Sequence, residues 1–326
     1  MDRDLAINLV RVTEAAALAA ARYLGRGDKN AADGAAVDSM RKMFDTLHID
    51  GEVVIGEGEL DEAPMLYIGE KIGRSDMDFP QVDIAVDPID GTSALAKGLD
   101  DSIAVVALAP RGKLLKAPDM YMDKLAVGRE GIGVCSLNLT VEENIKNLAK
   151  AKGKAIEDMV VSTIDRERSD YIIEACRNLG CRVKLFKDGD VAAALATCFD
   201  DQNVDMMIAN GGAPEGVVAA AAIKALGGYC EGRLTPMNDE ERKRCVEMDA
   251  PYDVVLTMDE LVSSDDIYFC ATGISDCQMV RGIHYQGDNK AISHSLVIRG
   301  KTGTVRYVEA HHKLDKKPEY AQIENI

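Results

Sequence analysis

The 326-residue chain has no tract of about 18 uncharged apolar residues, which excludes a helix that spans a bilayer. Its most apolar early stretch, 15–23, follows Arg11 and Glu14 and reads as an amphipathic helix, without the layout of a secretory leader. Basic residues are scarce, with 38 Lys and Arg against 55 Asp and Glu and a net charge of −17. Such a surface repels nucleic acid and anionic lipid and argues against either as a partner. The eight cysteines (135, 176, 181, 198, 230, 245, 270 and 277) form no C-x-x-C pair. Cys198 in Ala-Thr-Cys-Phe and Cys270 in Tyr-Phe-Cys-Ala sit inside apolar runs. These cysteines read as small core residues of a reduced compartment, not as zinc ligands or disulfides. There is no internal repeat and no low-complexity tract. The expectation is a globular cytoplasmic protein of one large or two medium domains.

Apolar spacing predicts helices over 3–24 and 34–47, separated by a loop at 25–30. From Val53 onward the pattern changes to short apolar runs closed by Gly, Pro or Asp, which predict strands at 53–55, 82–86, 103–109 and around 114–127. A helix over 141–151 leads to Lys152-Gly153-Lys154, taken as a boundary between an N-terminal α+β domain (1–154) and a C-terminal α/β domain (155–326). The second half alternates: strands at 159–163, 182–186 and 204–209, and helices near 169–179, 190–198 and 215–226. This predicts a largely parallel sheet with helical cover. Further strands are expected at 253–257 and 266–271, with a hairpin pairing 296–299 and 305–308 through Gly300-Lys301-Thr302-Gly303. The charged run 239–244 marks an exposed loop or helix, and His311-His312 a hairpin surface.

What the chain does have is acid at the ends of these elements. Val82 to Thr92 reads Val-Asp-Ile-Ala-Val-Asp-Pro-Ile-Asp-Gly-Thr, so Asp87 and Asp90 end a hydrophobic strand just before Gly91 and Thr92. Glu57 follows the strand 53–55, Asp33 precedes the helix 34–47, and Glu215 follows Gly211-Gly212-Ala213-Pro214. Ligands gather at strand carboxyl ends, and five carboxylates so placed suit two or three Mg²⁺ or Mn²⁺ ions, which prefer oxygen. Asp, Pro and Gly also make ordinary turns. Asp33 equally suits a helix N-cap, and Glu215 suits its helix dipole. No His or Cys shares these segments, which argues against zinc. Arg166 and Arg168, in Asp-Arg-Glu-Arg, present forks suited to a phosphate. Asp188 and Asp190 flank Gly189, one as a cap and the other free to accept from hydroxyls. Tyr121 faces either a phosphate or the core.

Asp-Pro-Ile-Asp-Gly-Thr resembles the signature of the lithium-sensitive, metal-dependent sugar and inositol phosphatase superfamily. Other blocks narrow the resemblance: 25–34, 54–59, 61–70, Ala117-Pro118-Asp119-Met120-Tyr121-Met122 and Gly211-Gly212-Ala213-Pro214-Glu215-Gly216. In order over nearly the whole chain, they are similar to the class II fructose-1,6-bisphosphatases of bacteria. The resemblance implies a mixed α/β fold, an α-β-α-β-α sandwich, and metal ligation by Asp33, Glu57, Asp87, Asp90 and Glu215. It implies substrate contacts from Asp90, Gly91, Thr92, Tyr121, Arg166, Glu167, Arg168, Asp188, Gly189, Asp190 and Gly212, and a role for Asp61 in turnover. It also implies a homodimer or tetramer. Relatives often carry Glu where Asp90 stands, so one ligand is a methylene shorter here. The stretch 235–244 looks abbreviated beside some relatives.

The implied activity is metal-dependent hydrolysis of the 1-phosphate of fructose 1,6-bisphosphate, a gluconeogenic step, without a phosphoenzyme. In that scheme Thr92 orients the attacking water, Asp61 with Glu59 handles its proton, Gly91 and Thr92 N–H groups hold phosphate oxygens, and the arginines grip the 6-phosphate. The alternatives are a dual fructose/sedoheptulose bisphosphatase, an inositol-monophosphatase-like enzyme, or an idle sugar-phosphate sensor. The intact acidic set argues against the sensor.

Overall fold

A computed structural model describes residues 5–56, 66–74 and 78–317. The chain forms two compact units, one from Met1–Leu114 with Asp266–Ile326 and one from Leu115–Asp265. The expected boundary at 154 therefore falls inside the second unit. Gly153 there is only the left-handed C-cap of a helix whose apolar side, Ile145 and Leu148, is part of that unit's core.

The first unit opens with α1 (Leu5–Ala20) and α2 (Lys29–Phe44), then β1 (Asp50–Ile55), β2 (Lys71–Gly73), β3 (Gln81–Asp90), α3 (Thr92–Lys97) and β4 (Ile103–Pro110). The second unit contributes β5 (Tyr121–Val127), α4 (Val141–Lys152), β6 (Val160–Ile164), α5 (Asp170–Leu179), β7 (Arg182–Phe186), α6 (Val191–Leu195), β8 (Met206–Gly212), α7 (Ala213–Leu226), β9 (Tyr229–Leu234), α8 (Asp239–Glu247) and α9 (Met258–Leu261). The chain then returns to the first unit with β10 (Tyr268–Gly273), β11 (His284–Gln286), β12 (Lys290–Arg299) and β13 (Thr304–Lys313). The mixed α/β class is as expected.

The first sheet runs β11-β12-β10-β4-β3-β1-β2, with β13 paired to β12. Only β1 and β3 are parallel among the pairs that involve β3. Alternate residues Ile84 and Val86 of β3, and Ala104, Val106 and Leu108 of β4, share a core with Leu9, Val12 and Ala16 of α1 and Met40 and Phe44 of α2. The small side chains of α1 let it lie close to the strands. α2 begins at Lys29, earlier than spacing suggested, because the Asp28 carboxylate caps it by accepting the Ala31 N–H at 3.0 Å. Asp33 is thus inside the helix and is not its cap.

The second sheet runs β7-β6-β8-β5-β9. β6 is parallel to both β7 and β8, while β5 is antiparallel to β8 and β9, so the sheet is mixed and not largely parallel. Leu125 and Val127 of β5 face α4 and α5. Met122 and Lys124, of opposite parity, face α7. The expected strand at 253–257 is a single bridge between Leu256 and Gly232. β9 went unpredicted because glycines and Glu231 interrupt its apolar run. The charged run is α8, capped by Asn238 accepting the Glu241 N–H at 2.9 Å.

All eight cysteines are free, and six are buried. Burial pushes the Cys270 thiol up to about 12, as expected of core residues. Among the described residues no helix is long and apolar enough to cross a membrane. The β12–β13 hairpin forms and is longer than predicted, from Lys290↔Lys313 to Arg299↔Thr304. His311 is exposed beside Glu309, but His312 is buried, a correction to its reading as hairpin surface. Successive strand residues point to opposite faces, so His312 turns inward, with Nε2 2.8 Å from Ser293 Oγ. That hydroxyl also donates to Glu14 at 2.9 Å.

Burial, helped by Lys317 and His311, pushes His312 down to about 4 from 6.5 and pushes Glu14 up. Between those values the unfolded chain binds a proton on His312 that the folded chain refuses, so stability falls as pH drops from about 6.5 toward 4. Glu14 acts with the opposite sign, because its folded form keeps a proton the unfolded chain has released. We expect the thermal midpoint to decline from pH 7 to pH 5 and His312→Gln to flatten that decline. An unchanged slope in the variant would remove His312 as its source.

Candidate active site

In the first unit, β3 carries its acids through an irregularity. Its pairing with β4 shifts register between Asp87 and Asp90, where Pro88 supplies no ladder N–H. Asp87 Oδ1 accepts the Ile89 N–H at 3.0 Å, and Asp90 is buried. Gly91 follows at φ +97°, where an added Cβ would lie 2.8 Å from the Asp101 carbonyl oxygen, so only glycine fits. That turn aims Thr92, whose hydroxyl sits 3.0 Å from the Ile89 carbonyl oxygen and 3.4 Å from Asp33 Oδ1. Asp33 is thereby tied to the Asp87–Thr92 turn. Burial raises its pKa, while Thr92 and Lys29 pull it back. Glu57, Glu59 and Asp61 lie outside the described residues.

In the second unit, the sequence-predicted substrate residues collect at one edge of the sheet. β7, β6 and β8 are parallel, and Asp188–Asp190 follow β7, Arg166–Arg168 follow β6, and Gly212 ends β8. β5 runs the other way, so its first residue, Tyr121, pairs with Gly212 at that same edge. The Arg168 guanidinium lies 4.9 Å from the centre of the Tyr121 ring, and its Nε donates to the Asn210 carbonyl oxygen at 2.9 Å. The Arg166 guanidinium donates to the neighbouring Asp165 carbonyl oxygen at 3.1 Å, and Glu167 is exposed. Gly189 takes a positive φ of 65°, which turns the chain into α6. Asp190 stands at the N-cap position of α6 but makes no cap bond; its Oδ2 takes the Lys124 ammonium at 2.5 Å instead.

Glu215 opens α7 just after Pro214, and its carboxyl folds back over Gly212. A Cβ at Gly212 would lie 1.9 Å from Glu215 Oε2. That oxygen is buried with no hydrogen-bond partner among the described residues. Burial pushes the Glu215 pKa up, with Lys124 opposing and Asp190 adding to the rise. Sequence reasoning missed two residues here, Lys124 and Asn210. The available signal for Lys124 was a lone lysine at the inward register of Met122-Lys124-Ala126.

Among the described residues, no three His, Cys, Asp or Glu side chains form a group able to hold a metal ion. The donor chemistry nevertheless fits a hard cation. Every candidate offers carboxylate oxygen, Glu215 has a buried oxygen without a partner among the described residues, and burial raises the Asp33 pKa.

The family model of bacterial fructose-1,6-bisphosphatase, glpX-encoded, matches residues 3–312. The chain belongs to this family. Fructose-1,6-bisphosphatase class 2 of Haemophilus influenzae is 47% identical over 328 residues, covering 97% of this chain and 98% of that one. Fructose-1,6-bisphosphatase 1 class 2 of Escherichia coli is 46% identical over 336 residues, covering 99% of each. Among solved structures, an extragenic suppressor from Pyrococcus furiosus is 12% identical, covers 60% of this chain and 68% of its own, and has a TM-score of 0.30, too low to bear on the fold.

At the end of β8, a side chain on Gly212 would meet the Glu215 carboxyl. Gly212→Ala should destabilise the protein by about 1–3 kcal/mol, since the new methyl takes the place of the Glu215 carboxyl. In a Glu215→Ala background the same change should cost little. Urea denaturation of the four proteins checks this, and equal costs in both backgrounds would contradict it.

Proposed function

We propose that this chain hydrolyses the 1-phosphate of fructose 1,6-bisphosphate, giving fructose 6-phosphate and inorganic phosphate for gluconeogenesis. The observation that carries the reading is near-full-length identity of 46–47% to class 2 fructose-1,6-bisphosphatases. The grouping of Tyr121, Arg168, Asp190 and Gly212 at one sheet edge supports it. Asp33, Glu57, Asp87, Asp90 and Glu215 would hold two or more Mg²⁺ or Mn²⁺ ions. Such cations, when bound, acidify the attacking water and offset charge on the leaving oxygen.

The remaining work falls to the chain's own side chains. Thr92, held by the Ile89 carbonyl and facing Asp33, orients the water. Asp61, with Glu59, takes the water's proton. Gly91 and Thr92 approach the phosphate, which the missing side chain at Gly91 permits. Arg166 and Arg168 bind the 6-phosphate, and the Tyr121 ring beneath Arg168 fixes the plane of its guanidinium. Asp188 and Asp190, at the turn around Gly189, accept from sugar hydroxyls. The protein works in the cytoplasm as a homodimer or tetramer.

Phosphate release from fructose 1,6-bisphosphate, followed with Mn²⁺, with Mg²⁺, with EDTA and with added lithium, tests the reading. We expect EDTA to abolish turnover and lithium to inhibit it. Asp61→Ala and Glu215→Ala should each lower kcat by about 100-fold or more, and near-wild-type rates in folded variants would sink the assignment. Arg168→Lys should raise KM about tenfold while changing kcat less, because an ammonium loses both the fork and the ring contact. A second reading, dual use of sedoheptulose 1,7-bisphosphate, rests on recognition at the two phosphates and not along the sugar. Turnover of that substrate within about tenfold of the fructose ester would establish it.

A further inference from the structure

Lys124 occupies a place lysines rarely take. It stands in the middle of β5, 4% exposed, on the face packed against α7, with Met122 and Ala126 as its neighbours on that face. Its ammonium lies 2.5 Å from Asp190 Oδ2, 66 residues along the chain and also buried. Gly211 leaves room for the pair, and Gly216 for the strand face that carries Lys124. A Cβ at Gly211 in β8 would lie 2.4 Å from Asp190 Oδ2 and 3.2 Å from Lys124 Nζ. A Cβ at Gly216 in α7 would lie 2.7 Å from Met122 Sδ, the strand neighbour of Lys124, and in ordinary contact with the lysine stem, 3.4 Å from Lys124 Cδ and Cε. Room has been kept in the strand for this ion pair.

Stability does not account for this expense, because a buried ion pair is commonly no better than a well-packed apolar pair of the same size. The position of Asp190 supplies a reason. A carboxylate at the N-cap of α6 would ordinarily fold down onto the helix amides. Here it makes no such bond and is drawn across to Lys124 instead, beside the Gly211-Gly212 end of β8. The same ammonium opposes the effect of burial on Glu215.

We propose that Lys124 is a positioning residue for the sugar phosphate: it fixes the Asp190 carboxylate at the carboxyl edge of the sheet and acts on substrate only through Asp190. This rests on the reading of the site as a fructose 1,6-bisphosphate site. Lys124 itself touches neither phosphate nor sugar. Its charge is needed because an unpaired Asp190 would swing back onto α6, and the acceptor that faces the sugar would be lost.

The test compares the full-length wild type with Lys124→Met, Asp190→Asn and the double variant. Three quantities are measured: KM and kcat for fructose 1,6-bisphosphate with Mn²⁺, the calorimetric Kd of fructose 6-phosphate in EDTA, and the unfolding midpoint. Lys124→Met should raise both KM and the product Kd about tenfold, the scale of one charge-assisted hydrogen bond. The double variant should match Asp190→Asn in KM and Kd, while regaining part of the midpoint that Lys124→Met loses. A purely structural lysine would lower the midpoint and leave KM and Kd unchanged, which would overturn the proposal. So would effects of the two substitutions that multiply. Should Lys124→Met fail to fold, the double variant against Asp190→Asn decides: equal constants support the proposal and a further rise overturns it. A wild type that releases no phosphate from fructose 1,6-bisphosphate overturns the reading of the site together with the inference. An active wild type with an unchanged Lys124→Met overturns the inference alone.

Discussion

The carboxyl end of β8 carries no side chains at Gly211 and Gly212, and charged groups occupy the space those side chains would fill. Glu215 folds over Gly212, and the Lys124–Asp190 pair lies against Gly211. Everything at this edge of the second unit depends on that close approach. Methyl groups there would displace the charged ends of Glu215, Asp190 and Lys124. The arrangement also explains why two acids share so small a volume. The ammonium between strand and helix offsets the repulsion that burial would otherwise magnify.

The first unit uses a related device by different means. β3 does not stop cleanly but breaks register with β4 across Asp87-Pro88-Ile89-Asp90, so its acids leave the regular ladder while remaining anchored to it. Gly91 then turns the chain with a backbone conformation that side chains resist, and Thr92 is delivered to Asp33. Both units thus place chemistry where a strand ends, with glycine at the junction. Backbone freedom at those few positions is spent on bringing polar groups together.

Much of this was legible in the residues. The alternation of apolar runs and helices from position 159 to 226 located β6, β7, β8 and their helices within a few residues, because period-2 and 3.6 patterns survive in well-buried elements. Arg166, Arg168, Asp190 and Glu215 follow those runs, and in the structure they follow β6, β7 and β8. β9 was not legible, since Gly227, Gly228, Glu231 and Gly232 break its apolar pattern. Nor was the division of the chain, because a unit assembled from both termini leaves no compositional seam. The burial of His312 was hidden for a similar reason. A histidine in a polar hairpin looks exposed until α1 brings Glu14 to the other side of Ser293.

By itself the sequence determined the family, the mixed α/β class, the burial of most cysteines in apolar runs and the residue types gathered at strand ends. Those follow from local pattern, composition and motif order, which need no knowledge of what packs on what. Only the tertiary structure decided that Asp33 lies within α2, that Arg168 stacks on Tyr121, and that Asp190 answers to Lys124 and not to its own helix. Each of these joins residues between five and dozens of positions apart. A carboxylate's partner is set by which donors the fold holds within hydrogen-bond range, and that is a property of folded geometry.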